Sequence, residues 1–316
     1  MTELSWTEVQ WQKVNEAVSE SFAKASVAGA FLPCYGPLPG SAETVRNERL
    51  NQEQQTISLD GDHDAANRKL VNLTVNVLLS SEQVADEALS NAILAFRRAA
   101  NILALEEDQI VFAGFGIGLL ADDSKFVANN VEQQQGLADL AARQRFPGLA
   151  GAVTGDAVIK AVVRAIRQLE DNFNPGPFAC VLGNTLYDAV YTPSASLVLP
   201  ADRLTPQLNG GPLLRSGKMD RMTGIVVSLA GNAIDIVVGT PPTVQFLQRS
   251  TDAKFLFRVY QRFVLRIRDA VRPPVAGFRT RPTTDQRNAE VSRLNRGSAE
   301  RELVRVRHER NTLPLY

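Results

Sequence analysis

The sequence predicts an α+β chain in which a mixed α/β unit is set into a larger helix-and-sheet body. Three observations carry this. Residues 5–26 and 81–105 repeat apolar side chains at spacings of three and four, the period of an amphipathic helix. Residues 70–79 and 255–268 alternate apolar and polar side chains, the period of a strand buried on one face. Residues 151–233 show both periods within one stretch. With 316 residues and 44% apolar content, the chain can bury one large core or two modest ones.

The first helix has two candidate capping boxes, Ser5 with Glu8 and Thr7 with Gln10. Trp11, Val14, Val18 and Phe22 form its apolar stripe. Gly29, Pro33, Gly36, Pro37, Pro39 and Gly40 end it and predict an extended turn region. Residues 43–79 read as one long projecting hairpin. Asp60-Gly61-Asp62-His63-Asp64 is its expected tip, and Val71, Leu73, Val75, Val77 and Leu79 are the buried face of its return strand. A lone hairpin is marginally stable, so this one calls for a second surface, a neighbouring subunit being one candidate.

The helix over 81–105 is expected to start at Ser81 with Glu82 and to bury Val84, Ala88, Ala92, Phe96, Ala99 and Leu103. Ile110-Val111-Phe112 then predicts a short buried strand ending at Gly114. In the mixed unit, Asp156 is the expected cap of a helix through Leu169, Phe178 to Leu182 a buried strand, and Asn184 the cap of a short helix to Tyr191. Gly224 to Leu229 and Ile234 to Gly239 read as strands joined in a hairpin through Gly231-Asn232. In 255–268, Phe255, Phe257, Val259, Phe263, Leu265 and Ile267 share one face, and Arg258, Tyr260, Arg262, Arg266 and Arg268 the other. Strands usually run about five or six residues, so this length predicts an extended sheet. Pro273-Pro274 ends it. Residues 279–316, with nine arginines against five acids, predict a disordered or weakly helical extension.

Composition narrows the function. Lys+Arg and Asp+Glu are both 34, so no global field recruits nucleic acid or an anionic membrane. Cys34 and Cys180 make no close ligand pair, which predicts neither a disulfide framework nor a zinc site and fits a reducing cytosol. The N-terminal stretch lacks the order of a signal peptide, and the longest nearly apolar run, Ile110 to Ala121, is too short and glycine-rich to span a bilayer. A cytoplasmic chain with no membrane partner is expected.

No chemistry converges. His63 falls in the expected hairpin and His308 in the tail, neither with a nucleophile at hand. Gly114-Phe115-Gly116-Ile117-Gly118 misplaces the third glycine of a dinucleotide fingerprint and reads as a linker. Asp60, Asp62 and Asp64 lack the late glutamate of a calcium loop, since Arg68 and Lys69 follow. The arginine face could grip phosphates, but without a stacking ladder of aromatics ion pairing is the better reading. The chain is therefore expected to be no enzyme, with no catalytic residue, cofactor or metal.

Several stretches resemble one family. Tyr35-Gly36-Pro37-Leu38 is similar to its Val-Gly-Pro-Leu/Tyr turn, and Asp108-Gln109-Ile110-Val111-Phe112-Ala113-Gly114 to the acidic-x-x-Ile-Phe-x-Gly end of its spine helix. Gly176-Pro177-Phe178-Ala179-Cys180-Val181-Leu182 is similar to its Gly-Pro-Tyr-x-Leu-Val-Leu strand, and Asp235-Ile236-Val237-Val238-Gly239 to its Asp-Leu-Val-Leu-Gly. Their order over roughly residues 5–278 resembles the encapsulins. The resemblance implies the tailed-phage major-capsid-like (Hong Kong 97-like) fold. Residues 1–42, 80–150 and 234–278 would form a peripheral domain, 43–79 an extended loop, 151–233 an axial domain and 279–316 a charged extension.

The resemblance also implies a nanocompartment shell subunit that assembles with itself into an icosahedral cage around a cargo enzyme. Cargo would dock through a terminal targeting peptide on Phe31, Pro33, Tyr35, Ile234 and Ile236. Thr192, Pro193, Ser194, Ala195, Ser196 and Leu197 would line a five-fold pore. Ala121 to Pro147 and the tail exceed the family pattern. Two other readings stay open here, a phage major capsid protein packaging DNA and a cytosolic hydrolase.

Overall fold

The computed structural model describes residues 4, 6–53, 56–61, 67–114, 127–129, 135–142, 153–193, 198–250, 254–269 and 272–279. Helix α1 (Glu8–Ala25) starts at Thr7, whose hydroxyl accepts from the Gln10 N–H while the Gln10 side chain takes the Thr7 N–H. The second of the two expected capping boxes is thus the one used. Past α1 the chain forms strand β1 (Cys34–Tyr35), then the short strands β2 (Thr44–Arg46), β3 (Arg49–Glu53), β4 (Thr56–Asp60) and β5 (Asn67–Lys69). Strand β6 (Val71–Leu79), helices α2 (Ser81–Ala85) and α3 (Ser90–Ala113), strand β7 (Val127–Asn129) and helix α4 (Leu137–Ala142) follow.

The extended loop differs from a single hairpin. β2 pairs with β5, and β3 with β4, in separate antiparallel ladders. The β3–β4 register turns the chain between Glu53 and Thr56, so Asp60 lies on the return arm and not at the tip, while 62–64 lie outside the described residues. The polar, turn-forming residues drew the expectation, yet pairing decides where a hairpin turns. β6 is no arm of this loop either. It pairs along its whole length with a strand of the main sheet, from Val71↔Phe263 to Leu79↔Phe255. Its alternation is as expected: Val71, Leu73, Val75, Val77 and Leu79 are buried.

Helix α3 also departs from expectation. It runs through Ile110, Val111 and Phe112 to Gly114, which ends it at φ 68°. Three consecutive apolar residues mimic a buried strand, but here the helix end is enclosed on all sides and all three are buried. The expected single helix over 81–105 is broken at Asp86–Leu89. Ser80, one residue before the expected start, caps α2 with Gln83. The Asp86 carboxylate accepts from the N–H of Ala88 and Ser90, at 3.1 and 3.0 Å, to restart the chain as α3.

The mixed unit comprises α5 (Gly155–Asp171), β8 (Phe178–Gly183), α6 (Asn184–Tyr191), α7 (Pro200–Leu204), β9 (Leu213–Ser216) and β10 (Thr223–Ser228). Thr154 caps α5, and Asp156 instead pairs with Arg203 at 2.6 Å. Gly183, not Asn184, precedes α6, because a Cβ there would lie 2.2 Å from the Asp220 carbonyl. The chain then enters β11 (Ile234–Arg249), β12 (Phe255–Ile267) and β13 (Val275–Arg279).

Two sheets result, ordered β1-β11-β12-β6-β7 and β13-β10-β8-β9. The expected hairpin between 224 and 239 therefore does not form. β10 and β11 belong to different sheets, and Gly231, at φ 78°, turns the crossing between them. β11 also runs ten residues past Gly239. After Pro273-Pro274, β13 pairs with β10 and so joins the second sheet.

One apolar cluster packs α1, α3, α4 and the first sheet against one face of the second sheet, through Val181, Ile225, Val227 and Val275, and another packs α5, α6 and α7 on that sheet's other face. In the first, Trp6 stacks on Phe257 at 5.0 Å, meets Trp11 and Phe96 edge-on, and donates its indole N–H to the Val84 carbonyl. Buried aromatics contribute about 1.5–3 kcal/mol each by area and about 0.5–1.5 more per ring pair. This cluster binds α1, α3 and β12 into one layer.

Candidate functional site

The chain leaving α1 is laid against the end of α3 and the edge of β11. The Asp108 carboxylate accepts the N–H of Val27 at 2.9 Å and of Ala28 at 2.8 Å, and Ser26 Oγ accepts that of Gly29. Phe31 stacks on Phe112 with centroids 6.3 Å apart. The Ile236 N–H then donates to the Pro33 carbonyl and the Leu38 N–H to that of Val238. Between these bonds β1 runs parallel to β11, pairing Cys34 with Ile236 and Tyr35 with Val237. Gly36, at φ 124°, permits the close approach, since a Cβ would lie 2.3 Å from the Val238 carbonyl.

The two segments expected to form a docking surface are thus hydrogen-bonded neighbours. Their side chains part company, however. Ile234 and Ile236 are 4% and 1% exposed and belong to the apolar core. Phe31 is half-buried, Pro33 is exposed, and Tyr35 is 55% exposed. The Arg266 guanidinium sits 5.2 Å from the Tyr35 ring centroid. The accessible face is therefore a proline and a tyrosine flanked by an arginine, while Ile234 and Ile236 point to the core on the opposite face of the sheet.

The arginine face is largely engaged by neighbours. Arg266 donates to both carboxylate oxygens of Asp235, with Nε–Oδ1 at 2.9 Å, and that bond holds its pKa above the ordinary value. Arg268 lies 3.6 Å from the same carboxylate. Arg262 donates to Asn72 and to the Gly40 and Ala42 carbonyls, lining an open cavity of about 450 Å³ with Glu43 and Lys69 at the loop base. Arg258 donates to Gln245 and covers the Tyr260 ring. Carboxylate pairing thus holds for Arg266 and Arg268; amide and carbonyl oxygens serve the other two.

Sequence reasoning missed the buried acids at the end of α3. Glu107 and Asp108 are 4% and 1% exposed. Burial and the neighbouring Asp108 push Glu107 up to about 8, against hydrogen bonds from Ser26 and Gln261 that favour its charged form. Burial lifts Asp108 to about 6, against the two backbone N–H groups it accepts. The available signal was Glu106-Glu107-Asp108 interrupting a helix whose flanks are apolar.

Of the expected pore loop, Thr192 and Pro193 are exposed at the end of α6, and Thr192 donates its hydroxyl to the Asp188 carbonyl at 2.7 Å. Ser194, Ala195, Ser196 and Leu197 lie outside the described residues, as do His63, His308 and 115–118. Among the described residues no cluster of His, Cys, Asp and Glu could hold a metal ion, and no helix is long and apolar enough to cross a membrane.

Comparison with known proteins completes the picture. Residues 5–264 match the profile of the family described as encapsulating protein for peroxidase. The chain is 25% identical to the type 1 encapsulin shell protein of Myxococcus xanthus over 276 residues, 83% of this chain and 90% of that one. It is 24% identical to the type 1 encapsulin shell protein of Rhodospirillum rubrum over 256 residues, 78% and 85% respectively. Among solved structures it is similar to a virus-like particle from Pyrococcus furiosus, with TM-score 0.62 and 14% identity over 86% of this chain and all of that one. The structure titled Mycobacterium phage Bobi is similar with TM-score 0.55 and 18% identity, covering 82% and 91%. The fold is that of tailed-phage capsid proteins.

Proposed function

Because this chain belongs to the encapsulin shell-protein family, we propose that it builds a closed icosahedral cage from copies of itself and encloses a cargo protein. The profile match across residues 5–264 carries this reading. It selects the shell subunit over a DNA-packaging capsid and over a hydrolase, and the role is structural and not catalytic. The β3–β4 hairpin supports self-assembly. All five side chains of β4 are exposed, including Ile57 and Leu59, and an apolar pair on a lone ladder wants a partner surface. The compartment belongs in the cytoplasm.

Electron microscopy of the purified protein tests assembly. Closed particles of uniform diameter are expected, and a population of monomers or dimers overturns the reading. In a reconstruction at residue resolution, Thr192 to Leu197 should surround the five-fold axis. The loop carries no charge, so the opening discriminates mainly by size.

Cargo docks, in the same proposal, through a targeting peptide laid on the strip formed by Phe31, Pro33 and Tyr35, with Ile234 and Ile236 anchoring the strand beside it in the core. The exposed Tyr35 ring and Pro33 supply apolar area, and multivalent cargo tolerates modest affinity per site. Tyr35→Ala should leave shells intact and lower the cargo that co-purifies with them. Equal loading of wild type and variant removes Tyr35 from the site.

A further inference from the structure

The segment that carries the docking strip is fastened to the body through buried acids. Asp108 holds the N–H groups of Val27 and Ala28. One residue earlier, Ser26 Oγ donates to Glu107 Oε1 at 3.3 Å, and Gln261 Nε2 on β12 donates to Glu107 Oε2 at 3.1 Å. Glu107 therefore sits where three elements meet: the turn after α1, the end of α3 and the middle of β12. No cation pairs with it among the described residues. Lys218 is bound to Glu106 at 2.7 Å and favours the charged form of Asp108. From β1 the Cys34 thiol also faces this charge; its pKa is raised by burial, then by Glu107 and Asp235.

We propose that Glu107 is a proton-operated latch: protonated, it lets residues 26–35 close onto the end of α3, and ionised, it loosens them. The charge that appears lies beside the Asp108 carboxylate, with two neutral donors and no counter-ion to offset it. An opened segment returns Glu107 to water. The closed state raises its pKa from 4.5 to about 8, so the latch is fully effective below 4.5 and weakens as pH rises through 8. Asp108 adds to this only below about 6. The window from pH 6 to 8 thus isolates Glu107.

Hydrogen–deuterium exchange of the assembled protein without cargo tests the latch, so its failure is distinguishable from a failure of docking. After correction for intrinsic exchange, protection of 26–35 in wild type should fall about tenfold per pH unit between pH 6 and 8. In Glu107→Gln, which keeps the shape and one acceptor oxygen but cannot ionise, protection should not vary with pH. Equal slopes in the two proteins, or a flat wild-type profile, overturn the proposal. Gln261→Met offers a second reading should Glu107→Gln not fold. It removes a donor that favours the carboxylate, so the fall should continue above pH 8. A profile that levels at the wild-type pH counts against the latch.

Discussion

Asp235 and Arg266 are 6% and 8% exposed and joined by two hydrogen bonds, directly beneath Tyr35 and facing each other across β11 and β12. A buried pair contributes little net stability, because desolvation offsets most of the attraction. Breaking it is another matter. Asp235→Ala leaves a guanidinium buried with Arg268 beside it, and should destabilise the subunit by about 3–5 kcal/mol. Denaturant unfolding of the dissociated subunit measures this, and a loss below about 1 kcal/mol removes the pair from the stability argument. The sequence displayed the arginine periodicity plainly. It could not say which arginines would meet a carboxylate, because that depends on the partner strand. In the pairing of β11 with β12, Asp235 lies opposite Arg266, while Gln245 lies opposite Arg258.

At the scale of elements, the loop is the part least supported by its own chain. β2 and β5 share three paired positions, and β3 and β4 five. The loop touches the sheet through the Leu50 N–H, which donates to the Arg268 carbonyl at 2.8 Å, and through Val45, buried with Val237 and Val264. Replacing residues 51–59 with a short glycine-serine link removes this hairpin while keeping β2, β5 and β6. The subunit should stay folded, with an unchanged far-ultraviolet spectrum apart from the lost strands, and sedimentation should show it failing to form particles. Particles of wild-type size would mean that assembly runs through other surfaces. Local signals gave both helices of the first layer and the strand at 71–79. They misread Ile110 to Phe112, where a helix turn enclosed on all sides carries no amphipathic period.

At the scale of the molecule, two sheets share one apolar cluster, which covers one face of the second, and are joined by chain crossings on either side of the β11–β12 ribbon. The Lys218–Glu106 pair bridges the mixed unit to the end of α3. The shell reading makes this rigid connection meaningful. A closed cage needs subunits that meet at fixed angles, and contacts that repeat around rotation axes close only if the subunit holds its shape. The proposed latch at Glu107 and the proposed docking strip share one segment, and the aromatic cluster of Trp6, Trp11, Phe96 and Phe257 holds α1 independently of it.

The sequence by itself determined the α+β class, the two main helices, the buried faces of 71–79 and 255–267, and, through short motifs in a fixed order, the family. These are local properties: periodicity and turn chemistry act within a few residues. Only the tertiary structure decided which strands pair. It sent β10 and β11 to different sheets, moved β6 from the loop into the main sheet, and returned β13 to the second. It also sank Ile234 and Ile236 into the core while leaving Tyr35 exposed beside them, and it buried Glu107 without a counter-ion among the described residues. Strand partners and buried charges are set by residues far apart in the chain, and no local pattern encodes which distant surface will cover a side chain.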